Sequence, residues 1–245
     1  MIMKKIKYLL ILAVSVFFYF NIQAQTVDEV IGKYADALGG IDKISGLKAL
    51  KVTGSMKMMG MEFPYTNISV HPDKNYLEIS VQGQTMKQGY DGTKGWIINP
   101  MTGGSSPEEA DEETSKQMKT RGRTISELFT YKEDGAVMEL LESEPVEGVN
   151  VFKIKYTGTD GKIVNYYIDK EKYLLIKTDK TVSARGKELF AETTFSNYKE
   201  FGGVLFSTIN EMKTKDSQMG NQTLYIDKVE INPEIDENLF QMPVK

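Results

Sequence analysis

Apolar and polar side chains alternate with a period of two along Lys162–Glu211. Val164, Tyr166 and Ile168 interleave with Ile163, Asn165, Tyr167 and Asp169, and Tyr173–Thr178 follows as a second run of β-branched and aromatic residues. Ala191, Thr193 and Phe195 stand against Glu192, Thr194 and Ser196 in a third run, Ala191–Tyr198. This turns through Phe201-Gly202-Gly203 into a fourth, Val204–Met212. Alternation broken by short Gly, Asp and Lys turns predicts an antiparallel meander with one buried face.

Upstream, the period first reads as helical. Thr26 with Glu29 forms a capping box, and Val27, Val30, Ile31, Tyr34 and Leu38 fall on one stripe that Gly39-Gly40 ends. A short turn, Ile41–Ile44, follows. Five strands are then predicted within Leu47–Asn99, separated by Met59-Gly60, His71–Lys74, Gln82–Gln84 and Asp91–Lys94. Next, Ser106-Pro107-Glu108-Glu109 reads as N-cap, N1 and N3 of a helix, with acids early and Lys116, Lys119 and Arg121 late. Gly122 interrupts it, and Thr124-x-x-Glu127 predicts a second start with Ile125, Leu128 and Phe129 on one face. Strands resume at Ala136–Ser143 and Val149–Thr157, and close with Gln222–Ile231. The pattern predicts a mainly β protein with helices (α+β). It has about 11–12 antiparallel strands, an N-terminal helix and a central helical insertion at about 105–131.

Composition narrows the setting. Lys4, Lys5 and Lys7 precede the apolar run Tyr8–Phe20, and Ala24 stands where a cleavage site would lie. Residues 1–24 are therefore read as a signal peptide and 25–245 as one domain. The run is shorter than the ~18 residues that a membrane-spanning helix needs. Removing the signal takes away three lysines and no acid, so the formal charge moves from −4 to −7. An acidic surface disfavours nucleic acid and anionic bilayers. There is no cysteine, hence no disulfide, thiolate metal site or acylated lipobox.

The inventory for catalysis is poor. His71 is the one histidine and sits before a proline in a turn; no nucleophile elbow or phosphate-cradling glycine loop accompanies it. The expectation is no enzyme, no metal and no cofactor. Methionine is plentiful, with 13 in the chain. Met56, Met58, Met61, Met86, Met101 and Met118 lie on predicted strands or beside the insertion, where thioethers either fill a core or adapt to an irregular ligand.

Several motifs in order carry a resemblance. Asp91-Gly92-Thr93-Lys94-Gly95-Trp96-Ile97-Ile98-Asn99-Pro100 resembles the D-G-x-x-x-W-x-x-N-P hairpin of the LolA/LolB-like family of periplasmic lipoprotein carriers. His71-Pro72-Asp73-Lys74-Asn75-Tyr76 sits where that family has a basic-Pro-x-x-aromatic turn and strand. Tyr167–Lys177, Asn197–Phe206 and Asp236–Pro243 resemble its later hairpins and closing segment. The resemblance implies a half-open antiparallel β-barrel whose concave wall holds acyl chains under a helical lid. It implies a periplasmic or secreted, monomeric binder of lipid, acyl or lipoprotein cargo, with an envelope protein as a further partner. A protein-interaction or sensor module on the same scaffold is the alternative. The ligand-facing residues implied are Met56, Met58, Phe63, Trp96, Ile98, Ile125, Leu128 and Phe129. His71 takes the lid-contact position, where such carriers use an arginine, and one imidazole donor replaces a fork of them.

Overall fold

The computed structural model describes residues 25–102, 104–184, 187–215 and 220–244. The expected signal peptide lies outside them. Helix α1 (Val27–Leu38) begins at Thr26 with both arms of the capping box made. It ends at Gly39, whose φ of 119° is open to glycine but strained for other residues. A Cβ at Gly39 would also stand 2.2 Å from the Gly203 carbonyl oxygen, so glycine lets α1 close onto the β-sheet. A short helix α2 (Ile41–Ser45) follows.

Among the described residues, thirteen strands form one antiparallel sheet: β1 (Ala49–Met58), β2 (Met61–Val70), β3 (Lys74–Val81), β4 (Gln84–Tyr90), β5 (Gly95–Asn99), β6 (Gly104–Glu109), β7 (Val137–Leu141), β8 (Val151–Thr157), β9 (Ile163–Asp169), β10 (Leu175–Ala184), β11 (Lys187–Phe201), β12 (Val204–Thr214) and β13 (Gln222–Ile231). Their spatial order is β6-β5-β4-β3-β2-β1-β13-β12-β11-β10-β9-β8-β7. Two meanders thus join where β1 pairs with β13, and β6 and β7 remain as free edges. The half-open barrel expected from the sequence is this unclosed sheet, with one strand more than anticipated.

The extra strand is a correction. Ser106–Glu109, expected to open a helix, lies in β6, where Trp96 pairs with Glu109 and Ile97 with Glu108. Proline cannot donate to a ladder, but at an edge its other side needs no partner, so Pro107 is tolerated. The insertion helix α3 (Glu112–Gly122) starts instead at Asp111, whose carboxylate accepts from Thr114 N–H at 2.7 Å. A last helix, α4 (Glu127–Thr130), is capped by Ser126 and not by Thr124. The Thr124 hydroxyl donates to the Leu47 carbonyl oxygen at 2.5 Å.

Directly opposed residues of an antiparallel pair share a face, so the register assigns sides. Ser69 pairs with Leu50, Leu50 with Ile231, Phe63 with Met56, and Met56 with Leu224. Leu224 pairs with Asn210, Asn210 with Phe195, Thr193 with Thr178, and Thr178 with Tyr166. One continuous face therefore runs the width of the sheet, and α1, α3 and α4 all lie on it. The sheet curls around them. Thr124 reaches Leu47 beside β1 while Glu127 accepts from the Tyr166 hydroxyl on β9. Those strands are five spacings apart, about 24 Å if flat, and three residues of chain extend only about 11 Å.

Candidate functional site

The concave face is covered unequally. On the β7–β11 side, Val30, Tyr34 and Leu38 of α1 and Leu128 of α4 pack with Ile154, Tyr156, Val164, Tyr166 and Ile168 into one core. Tyr34 stacks on Phe129 with ring centroids 5.4 Å apart. Leu128, Ile154 and Ile168 have no exposed surface. Burial by α1 and its neighbours pushes the Tyr34 phenol far up, and burial with the Glu127 carboxylate does the same to Tyr166. This half is filled.

At the far ends of β1–β4 the same face carries an apolar cluster made of strand residues, with no helix residue in it. Phe63, Leu77 and Ile79 are buried, and Met56, Met58, Tyr65, Val81 and Met86 pack against them half-buried. Pairing continues this floor to Leu224 on β13, and alternation places Met212 of β12 beside it. The result is a trough lined largely by Met, Leu, Ile and Tyr. Helix α3 sits at the other end of these strands, over Ser69, Asn75 and Gly95. Six residues of β2 separate Ser69 from Phe63, about 20 Å.

What holds α3 down is polar. Asn75 Nδ2 donates to Asn67 Oδ1 at 2.8 Å, Asn67 Nδ2 to Ser69 Oγ at 3.0 Å, and Ser69 Oγ to the Arg121 carbonyl oxygen at 2.9 Å. All three sheet residues are buried, and the last link satisfies a carbonyl that the helix end would leave orphaned. Next to it, Gly122 lies so close to the turn after β2 that a Cβ would be 1.9 Å from the Asp73 carbonyl oxygen. Lys119 adds an ion pair to Asp73 at 3.5 Å. Arg123 continues the clamp by donating to Asp134 at 2.6 Å and to Thr130 at 2.8 Å. Burial pulls the Asp134 carboxyl up, but these hydrogen bonds outweigh it and leave its pKa below the ordinary value.

His71 is exposed, and among the described residues its ring makes no hydrogen bond to the lid; Asp73 and Ser69 do that work. It lines a charged cleft of about 640 Å³ between this turn, α3, α4 and the β8–β9 turn, with Lys116, Lys119, Glu127 and Lys162. A second cleft of about 390 Å³ runs between α1 and α4, edged by Ile31, Ala35, Ile41 and Phe129.

The residues expected to face a ligand are thus divided. Met56, Met58 and Phe63 come together in the trough. Leu128 and Phe129 belong to the filled core, and Ile125 bridges that core to Leu50 and Val229. Trp96 and Ile98 lie on the opposite, convex face with Ile68, Tyr76 and Phe240, a correction to their expected inward facing. The reason is chemical as well as alternating. The indole Nε1–H needs an acceptor when buried, and finds the Phe240 carbonyl oxygen at 2.9 Å under the C-terminal turn. Inward positions on β5 are Gly95 and Ile97. Tyr65, Leu224 and Met212 were not singled out from the sequence, and neither was the Asn67–Ser69–Asn75 anchor. Their alternation was legible, but only cross-strand register shows which face they occupy. Among the described residues, no group of three or more His, Asp or Glu side chains is arranged to hold a metal ion.

Solved structures of similar shape give this architecture a context. A LolA superfamily protein from Nitrosomonas europaea is 14% identical, with TM-score 0.60 over 88% of this chain and 98% of its own. A domain from Vibrio parahaemolyticus, described as a candidate outer-membrane lipoprotein-sorting protein, is 14% identical at TM-score 0.58, over 88% of this chain and 97% of its own. A DUF1329 family protein from Desulfovibrio piger is 12% identical at TM-score 0.57, over 89% and 98%. The chain has the LolA-superfamily fold. A family model described as that of an uncharacterized protein matches residues 124–243. No curated protein matches the sequence.

Proposed function

We propose that this LolA-type fold serves as an exported, periplasmic binder or carrier of acyl-bearing cargo, a lipid or a lipidated protein. Cargo is held without covalent chemistry against the trough of Met56, Met58, Phe63, Tyr65, Met86, Met212 and Leu224. The observation that carries the reading is the contrast within one face. Helices fill one half of the concave wall, while the apolar cluster of the other half holds half-buried methionines and includes no helix residue. Thioether chains suit a disordered hydrocarbon, because each has three soft torsions and no polar atom to satisfy.

The polar seating of α3 supports a movable lid. Its polar contacts with the sheet are a hydrogen-bond chain, one glycine-permitted approach and the Lys119–Asp73 ion pair, a small set to break together. Apolar burial on α3 centres on Met118, which lies against Gly95.

Native mass spectrometry of the mature protein from its own envelope, followed by lipid extraction, tests the proposal. Acyl-bearing adducts at defined stoichiometry are expected. Mature protein that is uniformly free of lipid, and takes up none when offered it, would refute the reading.

A further inference from the structure

Among the described residues, two cations on the concave side form no ion pair. Lys180 on β10 pairs across the sheet with Val164 and Ala191, so it shares the face of the apolar core. Arg121 is in the last turn of α3, where its carbonyl is engaged by Ser69, and its guanidinium lies within electrostatic reach of the Tyr65 hydroxyl at the inner end of the trough. Both are half-buried. Other cations here are matched: Arg123 by Asp134, Lys119 by Asp73, Lys162 by Glu127. Among the described residues, no carboxylate lies within 4 Å of Arg121 or Lys180, and neither side chain donates a hydrogen bond to protein. Desolvation works against the charge of both, lowering their pKa values; at Lys180 repulsion from Lys162 adds to this, while the Glu127 carboxylate within reach opposes it, so that Arg121 is the one with no acid facing it. A guanidinium in such a place stays charged.

We infer that the cargo is an anionic amphiphile: an acyl chain lies along the methionine trough, and its carboxylate or phosphate group is received by Arg121. This rests on the carrier reading and narrows it. A desolvated cation without a counter-charge weakens the empty protein; an anion delivered with the chain supplies what the fold omits, in charge-assisted hydrogen bonds. The trough explains affinity for the chain, and the unpaired guanidinium explains selection of the head.

The mature protein is titrated, below micellar concentrations, with oleate, dioleoylphosphatidylglycerol and the uncharged monoolein. Inorganic phosphate and acetate serve as headgroups without chains. Both anionic amphiphiles are expected to bind at least about tenfold more tightly than monoolein, since charge-assisted hydrogen bonds are the strong class. Oleate binding without phosphatidylglycerol binding would assign a carboxylate head, and the reverse a phosphate. R121Q should weaken the anionic ligands about tenfold and leave monoolein unchanged, with R121K recovering part of the loss. Because Ser69 engages the Arg121 backbone, R121Q keeps the lid anchor. Equal affinity for oleate and monoolein, or variants that weaken both alike, would overturn the inference and leave the carrier reading standing. Phosphate or acetate binding as tightly as the amphiphiles would also overturn it. Failure to bind any amphiphile would remove both.

Discussion

The two halves of the concave wall are built from the same alternation of residues and differ in what lies on them. On the β7–β11 side, α1 brings a full apolar stripe, Val30, Ile31, Tyr34 and Leu38, and α4 adds Leu128. On the β1–β4 side, the one helix present is short of apolar residues and is anchored at one end by side-chain amides and a hydroxyl. A β-sheet face therefore becomes core or binding surface according to the sequence of the helix laid across it. The strand residues alone do not decide.

Substitutions that sharpen this contrast fall in order of effect. Leu128→Ala removes a side chain with no exposed surface from the filled half, and should cost about 2–5 kcal/mol in urea unfolding. Gly122→Ala puts a methyl group into the Asp73 carbonyl; a loss of about 1–3 kcal/mol is expected, with faster amide exchange confined to α3 and the 71–73 turn. Ser69→Ala orphans the Arg121 carbonyl and one Asn67 donor, for about 1–2 kcal/mol, again localised by exchange at the lid. Met58→Ala, in the trough, should cost under about 1 kcal/mol because the site is open to water, yet weaken acyl-probe binding several-fold. Were Met58→Ala to cost as much as Leu128→Ala, the two halves would be one packed core.

Acid offers a finer test at the lid. The folded-state pKa of Asp134 lies below its unfolded value, so the clamp on Arg123 contributes stability that is fully present above the unfolded pKa, near 4. It is lost as pH falls through the lower folded value. The stability gap between the parent and Asp134→Asn should be constant from neutral pH to about pH 5 and close in stronger acid.

The sequence was most legible where local chemistry and long-range packing agree. Thr26, Glu29 and the stripe after them specify α1 before any partner is known, and the Gly and Asp turns set the meanders. It misled at Ser106–Glu109, where a helix-start signal is overridden by pairing with Trp96 and Ile97 on an edge strand. Trp96 shows the same limit for the site. Strand periodicity puts it opposite Gly95 and Ile97, but which side faces the helices is fixed by the Phe240 carbonyl, 144 residues away. Arg121 reads in the sequence as one more base at a helix end, for a related reason. Its isolation is a matter of what fails to approach it across the fold, which no local pattern encodes.

Photo-crosslinking the mature protein with a diazirine-bearing fatty acid, followed by peptide mapping, addresses the trough most directly. Labels concentrated on Met56, Met58, Tyr65, Met86, Met212 and Leu224, competed away by unlabelled oleate, are predicted. Labels confined to the cleft between α1 and α4, or spread over the exposed surface and insensitive to competition, would contradict the account.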